Sequence, residues 1–187
     1  MGEPVTLATY DEYLALEAQS DVKHEYIDGL VVAMAGGTLE HARLAAKVLQ
    51  LLGRALDGRA CRVFGSDARV RVRKTNRSTY PDVTVVCGEI LRADDDKEAI
   101  ANPIVLVEVL SESTERSDRG EKFAHFRRLP SLREYVLVSP DAQMVEVFRR
   151  TDAGWLLVEA ARGESARLDS IDGAIEVEDL FRDAIAE

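Results

Sequence analysis

The stretch Ile104-Val105-Leu106-Val107-Glu108-Val109-Leu110 constrains this chain most, because it is apolar at every position but one. A strand apolar on both faces needs cover on both sides, so the run predicts a central strand of a layered α/β fold, opened by Pro103. Glu108 interrupts it. A charge on such a strand is costly unless something pairs with it. The plainer reading is a carboxylate at the strand's exit, neutralised by a nearby arginine or capped by Ser111. The functional reading is a metal ligand at the carboxyl end of a central strand.

Asp82 follows Pro81 at the start of a second apolar run, which predicts a neighbouring strand over 82–87. Alone it reads as a turn residue. Together with Glu108 it brings two oxygen ligands to one sheet edge. Hard cations such as Mg²⁺ take few carboxylates and keep several waters. That leaves room for a phosphate oxygen and an attacking water.

The other elements fall around these two strands. Thr9 and Glu12 form a capping-box pattern that opens a short helix through about Gln19. Asp28-Gly29 between β-forming residues marks a hairpin ended by Gly36-Gly37. Thr38 caps an amphipathic helix to about Leu56, with Ala45, Val48, Leu49, Leu52 and Leu56 as its apolar stripe and Gly58 as its stop. Strand-like alternation begins at Cys61 and continues through Val63, Val70 and Val72. Residues 76–79 read as a loop, and 89–98 as a polar, acidic loop. A helix is expected over 115–128, stopped by Pro130. Strands follow over 134–138 and 144–148, the latter pairing with 155–159 around Ala153-Gly154. A short helix closes the chain near 177–185. No internal repeat or domain boundary is visible, so residues 1–187 read as one domain.

Bulk properties narrow the function. The formal net charge is −10, which argues against a protein that coats nucleic acid non-specifically but permits a local basic groove. The two cysteines, Cys61 and Cys87, lack zinc-type spacing and read as buried thiols, which makes a reducing cytoplasm the default. Met1-Gly2-Glu3-Pro4 shows no signal-peptide pattern, and no apolar run is long enough to span a bilayer.

Further residues carry competing readings. Lys122 lies one helical turn after Asp118 and on spacing alone is an exposed ion pair. Glu25 beside the Asp-Gly turn is either surface decoration or an acid near the metal. Arg69, Arg71 and Arg73 alternate on one strand and share a face, with Lys74 and Arg77 extending it. Such a strip could track a phosphate backbone; equally, it could be a solvated face balancing acidic neighbours. His24, His41 and His125 have no metal-type spacing and read as surface or packing residues. No serine sits in a nucleophile elbow, and no phosphate-binding glycine loop is present.

The segments Tyr80-Pro81-Asp82-Val83, Asn102 to Ser111 and Ser113-Thr114 resemble the Uma2 family of restriction-endonuclease-like proteins, also described as a DUF820 type. So do Asp118-Arg119-Gly120-Glu121-Lys122, Leu132-Arg133-Glu134-Tyr135-Val136-Leu137-Val138 and, upstream, Tyr13-Leu14 and Glu25-Tyr26-Ile27-Asp28-Gly29. The resemblance covers nearly the whole chain, and the segment around Glu108 is its specific part. It implies the PD-(D/E)-x-K nuclease superfamily, with a restriction-endonuclease-like mixed central sheet flanked by helices. A C-terminal antiparallel hairpin extends this α/β fold. It also implies metal-dependent phosphodiester hydrolysis, with Asp82 and Glu108 as ligands of Mg²⁺ or Mn²⁺. The motif lysine is absent, since Leu110 stands two residues after Glu108. Lys122 on the following helix matches the lysine that this family is thought to supply from there, and Glu25 matches an N-terminal acid of such sites. The implied partner is nucleic acid, DNA first, with a homodimer expected because cutting two strands takes two sites. The competing expectation is an inactive nuclease-fold module that binds nucleic acid or a protein.

Overall fold

The computed structural model describes residues 7–34 and 36–185. Met1–Pro4, read above for a signal peptide, lie outside them. No helix among the described residues is long and apolar enough to cross a membrane.

The chain builds two six-stranded sheets and a small hairpin. The N-terminal elements follow the sequence closely. Helix α1 (Tyr10–Glu17) starts at Thr9 with both halves of the capping box made. Strands β1 (His24–Ile27) and β2 (Leu30–Ala33) form the hairpin, turning at Asp28 and Gly29, both at positive φ. Helix α2 (Leu39–Ala55) is capped by the Thr38 hydroxyl. Its deepest residues are Leu44, Val48 and Leu52, while Ala45 and Leu49 are only half-buried. The burying stripe is thus rotated from the one read in the sequence.

The mixed central sheet orders as β12-β11-β10-β9-β6-β3. Its strands are β3 (Cys61–Gly65), β6 (Val83–Cys87), β9 (Val105–Val109), β10 (Glu134–Ser139), β11 (Met144–Thr151) and β12 (Gly154–Ala160). β9 lies in the middle, parallel to β10 and antiparallel to β6, with all five residues buried. Its faces divide by alternation. Val105, Val107 and Val109 pack with α2 and the C-terminal segment. Leu106 and Leu110 pack on the other face with Phe126, Leu129 and Leu132.

The second sheet orders as β2-β1-β5-β4-β8-β7, with β4 (Arg69–Val72), β5 (Arg77–Thr79), β7 (Arg92–Ala93) and β8 (Asp96–Ile100). Two expectations are corrected here. Residues 77–79 are not loop but the interior strand β5, paired to β1 and β4. Its residues are Arg, Ser and Thr, so it shows no apolar signature although all three are buried. The acidic segment 89–98 is partly strand, because β8 runs parallel to β4.

The helix expected over 115–128 forms as three short stretches: Glu115–Ser117, a π-helical turn at Asp118–Lys122, and Phe123–Phe126. Beyond the central sheet, β13 (Ser165–Leu168) and β14 (Gly173–Glu176) make the C-terminal antiparallel hairpin, and a last helix spans Val177–Phe181. The cysteines are not free thiols. Antiparallel pairing of β3 with β6 sets Cys61 opposite Cys87, and the two are joined as a disulfide. The cysteines therefore lend no support to a reducing compartment.

Candidate active site

Sheet register assembles the site. β6 and β9 pair Val83 with Val107, so the antiparallel pattern carries Asp82 to the position across from Glu108. Asp82 Oδ2 accepts a 2.7 Å hydrogen bond from the Val109 backbone N–H. Glu108 shares a face with Leu106 and Leu110, beneath residues 115–126, and from there Lys122 reaches down. Its Nζ lies 3.3 Å from Glu108 Oε1, 2.9 Å from Asp118 Oδ1 and 3.6 Å from Glu25 Oε1. Lys122 is buried rather than an exposed helix pair. Leu110, standing where the motif lysine would be, is buried in the core.

Glu25 enters from β1. The β1–β5 pairing places Thr79 and Arg77 beside it: the Thr79 hydroxyl donates to Glu25 Oε1, and Arg77 Nη2 donates to Oε2 at 3.1 Å. Arg77 does not extend a surface patch. It is 1% exposed and spans from Glu25 to Glu121, which its Nη1 meets at 3.2 Å.

The arginine strip also has partners. Arg69 donates to both Asp96 oxygens, Arg71 meets Asp95 at 3.0 Å, and Arg73 meets Asp94 at 2.7 Å. Arg69 and Arg71 further lie over tyrosine rings. The strip balances the acidic run that follows it in sequence, and of the residues proposed to contact nucleic acid only Arg73 and Lys74 are exposed.

Sequence reasoning missed His41. It sits in the first turn of α2 with Nε2 3.3 Å from Asp82 Oδ2. That bond, against the opposing effect of burial, raises its pKa above the usual histidine range, with the charges of Asp82 and Asp118 adding to it. Histidine spacing could not reveal a contact made between α2 and the loop before β6.

The ionisation of the site follows from burial and pairing. Burial pushes the Glu108 carboxyl up to about 8; Lys122 opposes the shift, while Asp82, Asp118 and Glu25 reinforce it. Burial also opposes the charge of Lys122, but the carboxylates of Glu108, Glu25 and Asp118 outweigh it and raise its pKa. Burial acts on Glu25 as well, yet Lys122, Thr79 and Arg77 hold it below the usual range. A glutamate that keeps its proton only in the folded state makes stability fall as pH rises between its unfolded pKa and about 8. Thermal melts in EDTA from about pH 5 to about pH 9 should show that decline, and Glu108→Gln should flatten it.

The groups line a cleft of about 830 Å³. Asp82 and Glu108 offer hard oxygen donors, and the contacts of Asp82 with the Val109 N–H and with His41 are both made by Oδ2. This donor set fits Mg²⁺ or Mn²⁺ rather than a soft metal. Among the described residues no group of three or more histidine, cysteine or acidic side chains is disposed to hold a metal unaided. Two carboxylates with water completing the shell are what the site can provide.

Residues 10–178 match the Uma2 family, described as "Putative restriction endonuclease". Two proteins of Synechocystis sp., each described as uncharacterized, are similar along their length. One is 35% identical over 173 residues, covering 92% of this chain and 90% of the relative. The other is 34% identical over 164 residues, covering 87% and 92%. A crystal structure of a "putative nuclease belonging to DUF820" from Anabaena variabilis shares the fold, with a TM-score of 0.76 over 96% of this chain and 98% of that one at 21% identity. On the span of the family match and the identity of these relatives, the chain belongs to the Uma2 family.

Proposed function

We propose that this protein hydrolyses phosphodiester bonds of nucleic acid with Mg²⁺ or Mn²⁺ held by Asp82 and Glu108. One observation carries the reading: the Lys122 ammonium, though it comes from a helix, lies 3.3 Å from Glu108 Oε1 and 3.6 Å from Glu25 Oε1. The family match and the carboxylate pair on adjacent strands support it.

When bound, the metal would polarise the phosphoryl group and acidify a water. The side chains divide the remaining work. Lys122, with its pKa raised, stays protonated, so it acts as a fixed positive charge on the phosphate oxygens and does not accept the water's proton. Glu25 stays ionised and orients the attacking water by accepting a hydrogen bond from it. His41 and the Val109 N–H both bind Asp82 Oδ2 and so fix the carboxylate, leaving Oδ1 for the metal. A homodimer belongs to this reading only for a duplex substrate.

Asp82→Ala should lose metal binding and cleavage together, with a rate drop on the order of a hundredfold or more. Calorimetric titration with Mn²⁺ beside cleavage assays on single-stranded DNA and plasmid checks this, and undiminished cleavage in the variant would contradict the assignment. A second reading, an inactive binding module, is favoured by the lack of a three-ligand cluster among the described residues. It requires nucleic-acid affinity in the wild type with neither metal affinity nor turnover.

A further inference from the structure

Helix α2 carries two apolar stripes. Leu44, Val48 and Leu52 are buried against the central sheet. Ala42, Ala45, Ala46 and Leu49, spaced i, i+3, i+4 and i+7, remain exposed or half-buried and form one wall of the cleft. Another part of the lining follows Glu108 in sequence and is made of hydroxyls. Ser111 Oγ lies 3.2 Å from Ser113 Oγ and 3.0 Å from Thr114 Oγ1. The carboxylates and Lys122 belong to the same cleft.

Positive charge is scarce there. No arginine lines the cleft among the described residues. Its cationic side chains all face acceptors already: Lys23 meets Asp67 and the Ser66 carbonyl in a solvated pair, His41 meets Asp82, and Lys122, the one cation assigned to the scissile phosphate, meets three carboxylates. A duplex turns its phosphates outward and stacks its bases inside. It would leave the alanine wall unused and would require cations that the cleft does not supply. An unpaired strand exposes its bases to an apolar surface and its phosphates to neutral hydrogen-bond donors.

Resting on the nuclease reading above, we propose that the cleft takes a single strand of nucleic acid. Its bases lie on the wall formed by Ala42, Ala45, Ala46 and Leu49. Its phosphate oxygens accept hydrogen bonds from Ser111, Ser113 and Thr114. This accounts for a nucleic-acid site in a chain of net charge −10, because the strand is gripped with few ionic contacts.

The test is fluorescence anisotropy of a fluorescein-labelled mixed-sequence oligodeoxynucleotide in Ca²⁺, single-stranded and annealed to its complement, with the oligonucleotide checked for integrity afterwards. The single strand should bind at least about tenfold more tightly. Its affinity should fall less than about tenfold between roughly 50 and 200 mM KCl, as for one or two phosphate contacts. Ala46→Glu, at an exposed position of the cleft wall where a glutamate is compatible with the helix, should weaken the single strand by about tenfold or more. Ser113→Ala combined with Thr114→Val should weaken it by about tenfold while its salt dependence stays unchanged. A preference for duplex, a salt dependence of hundreds of fold, or undiminished binding by Ala46→Glu would overturn the proposal. Single-strand binding with no cleavage of any nucleic acid in Mg²⁺ or Mn²⁺ would remove the nuclease reading and leave the strand in its cleft. Cleavage with duplex preference would do the reverse.

Discussion

Lys122→Met is expected to lower the melting temperature by roughly 6–12 °C at neutral pH. Methionine keeps most of the apolar stem but removes the ammonium that lies between Glu108, Asp118 and Glu25. Stripping one partner from a buried charge cluster costs about 3 kcal/mol or more, and a domain of this size shifts by about 2–4 °C per kcal/mol. The loss should shrink in acid, where the stranded carboxylates take up protons and the repulsion disappears. Cleavage should fall on the order of a hundredfold or more, because Lys122 is the lysine that lies between these carboxylates, and His41 in the same cleft is held at Asp82 instead. Thermal melts at two pH values and initial-rate assays check both arms. A variant as stable and as active as wild type would show that Lys122 is not the lysine of the site.

Arg77→Met should have a comparable effect on stability and a different effect on function. The arginine is almost fully enclosed and reaches Glu25 with one guanidinium nitrogen and Glu121 with another. Its removal leaves Glu25 with only Thr79 and Lys122 to hold its charge, at a cost of about 3–5 kcal/mol. Asp82 and Glu108 do not touch Arg77, so Mn²⁺ affinity should stay within a few-fold of wild type while kcat falls. Arg77→Lys should not restore it, because Arg77 meets Glu25 with Nη2 and Glu121 with Nη1, and a lysine lacks the second arm of that fork. A metal affinity that collapses along with the rate would mean that Arg77 supports the fold of the whole site rather than Glu25 alone.

The parts of the candidate site with a local signal are legible in the sequence. Asp82 and Glu108 stand out because a carboxylate in an apolar strand is costly. The strands around them are legible from their Val, Ile and Leu content, and the capping box at Thr9 and the Asp28-Gly29 turn from their own short motifs. What stayed hidden depends on pairing between distant segments. β5 is polar because its side chains serve Glu25 and Tyr10, so it reads as a loop. The arginines at 69, 71 and 73 resemble a phosphate track until Asp94, Asp95 and Asp96 fold against them. His41 and the Cys61–Cys87 bond follow from how α2, β3 and β6 come together, which no spacing rule encodes. The location of Lys122 was legible only through family resemblance; on helical spacing alone the Asp118–Lys122 pair looks solvent-exposed.

The π-helical turn at Asp118–Lys122 belongs to the same account. Asp118 and Lys122 meet each other and Lys122 reaches Glu108, while Phe123 and Phe126 on the next turn stay in the aromatic cluster with Tyr135. Widened turns of this kind recur at functional sites. Tyr135 donates to the Asp118 backbone carbonyl at 3.0 Å, tying the start of the turn to the strand beside Glu108.

The metal site is tested by isothermal titration of the protein with Mg²⁺ and Mn²⁺, wild type against Glu108→Ala, at a pH above about 8 where Glu108 is ionised. Wild type should bind one metal ion saturably, more weakly and with proton release at lower pH, and the variant should show no detectable binding. Absence of binding in the wild type, or equal binding in the variant, would contradict the assignment of Asp82 and Glu108 as a metal site.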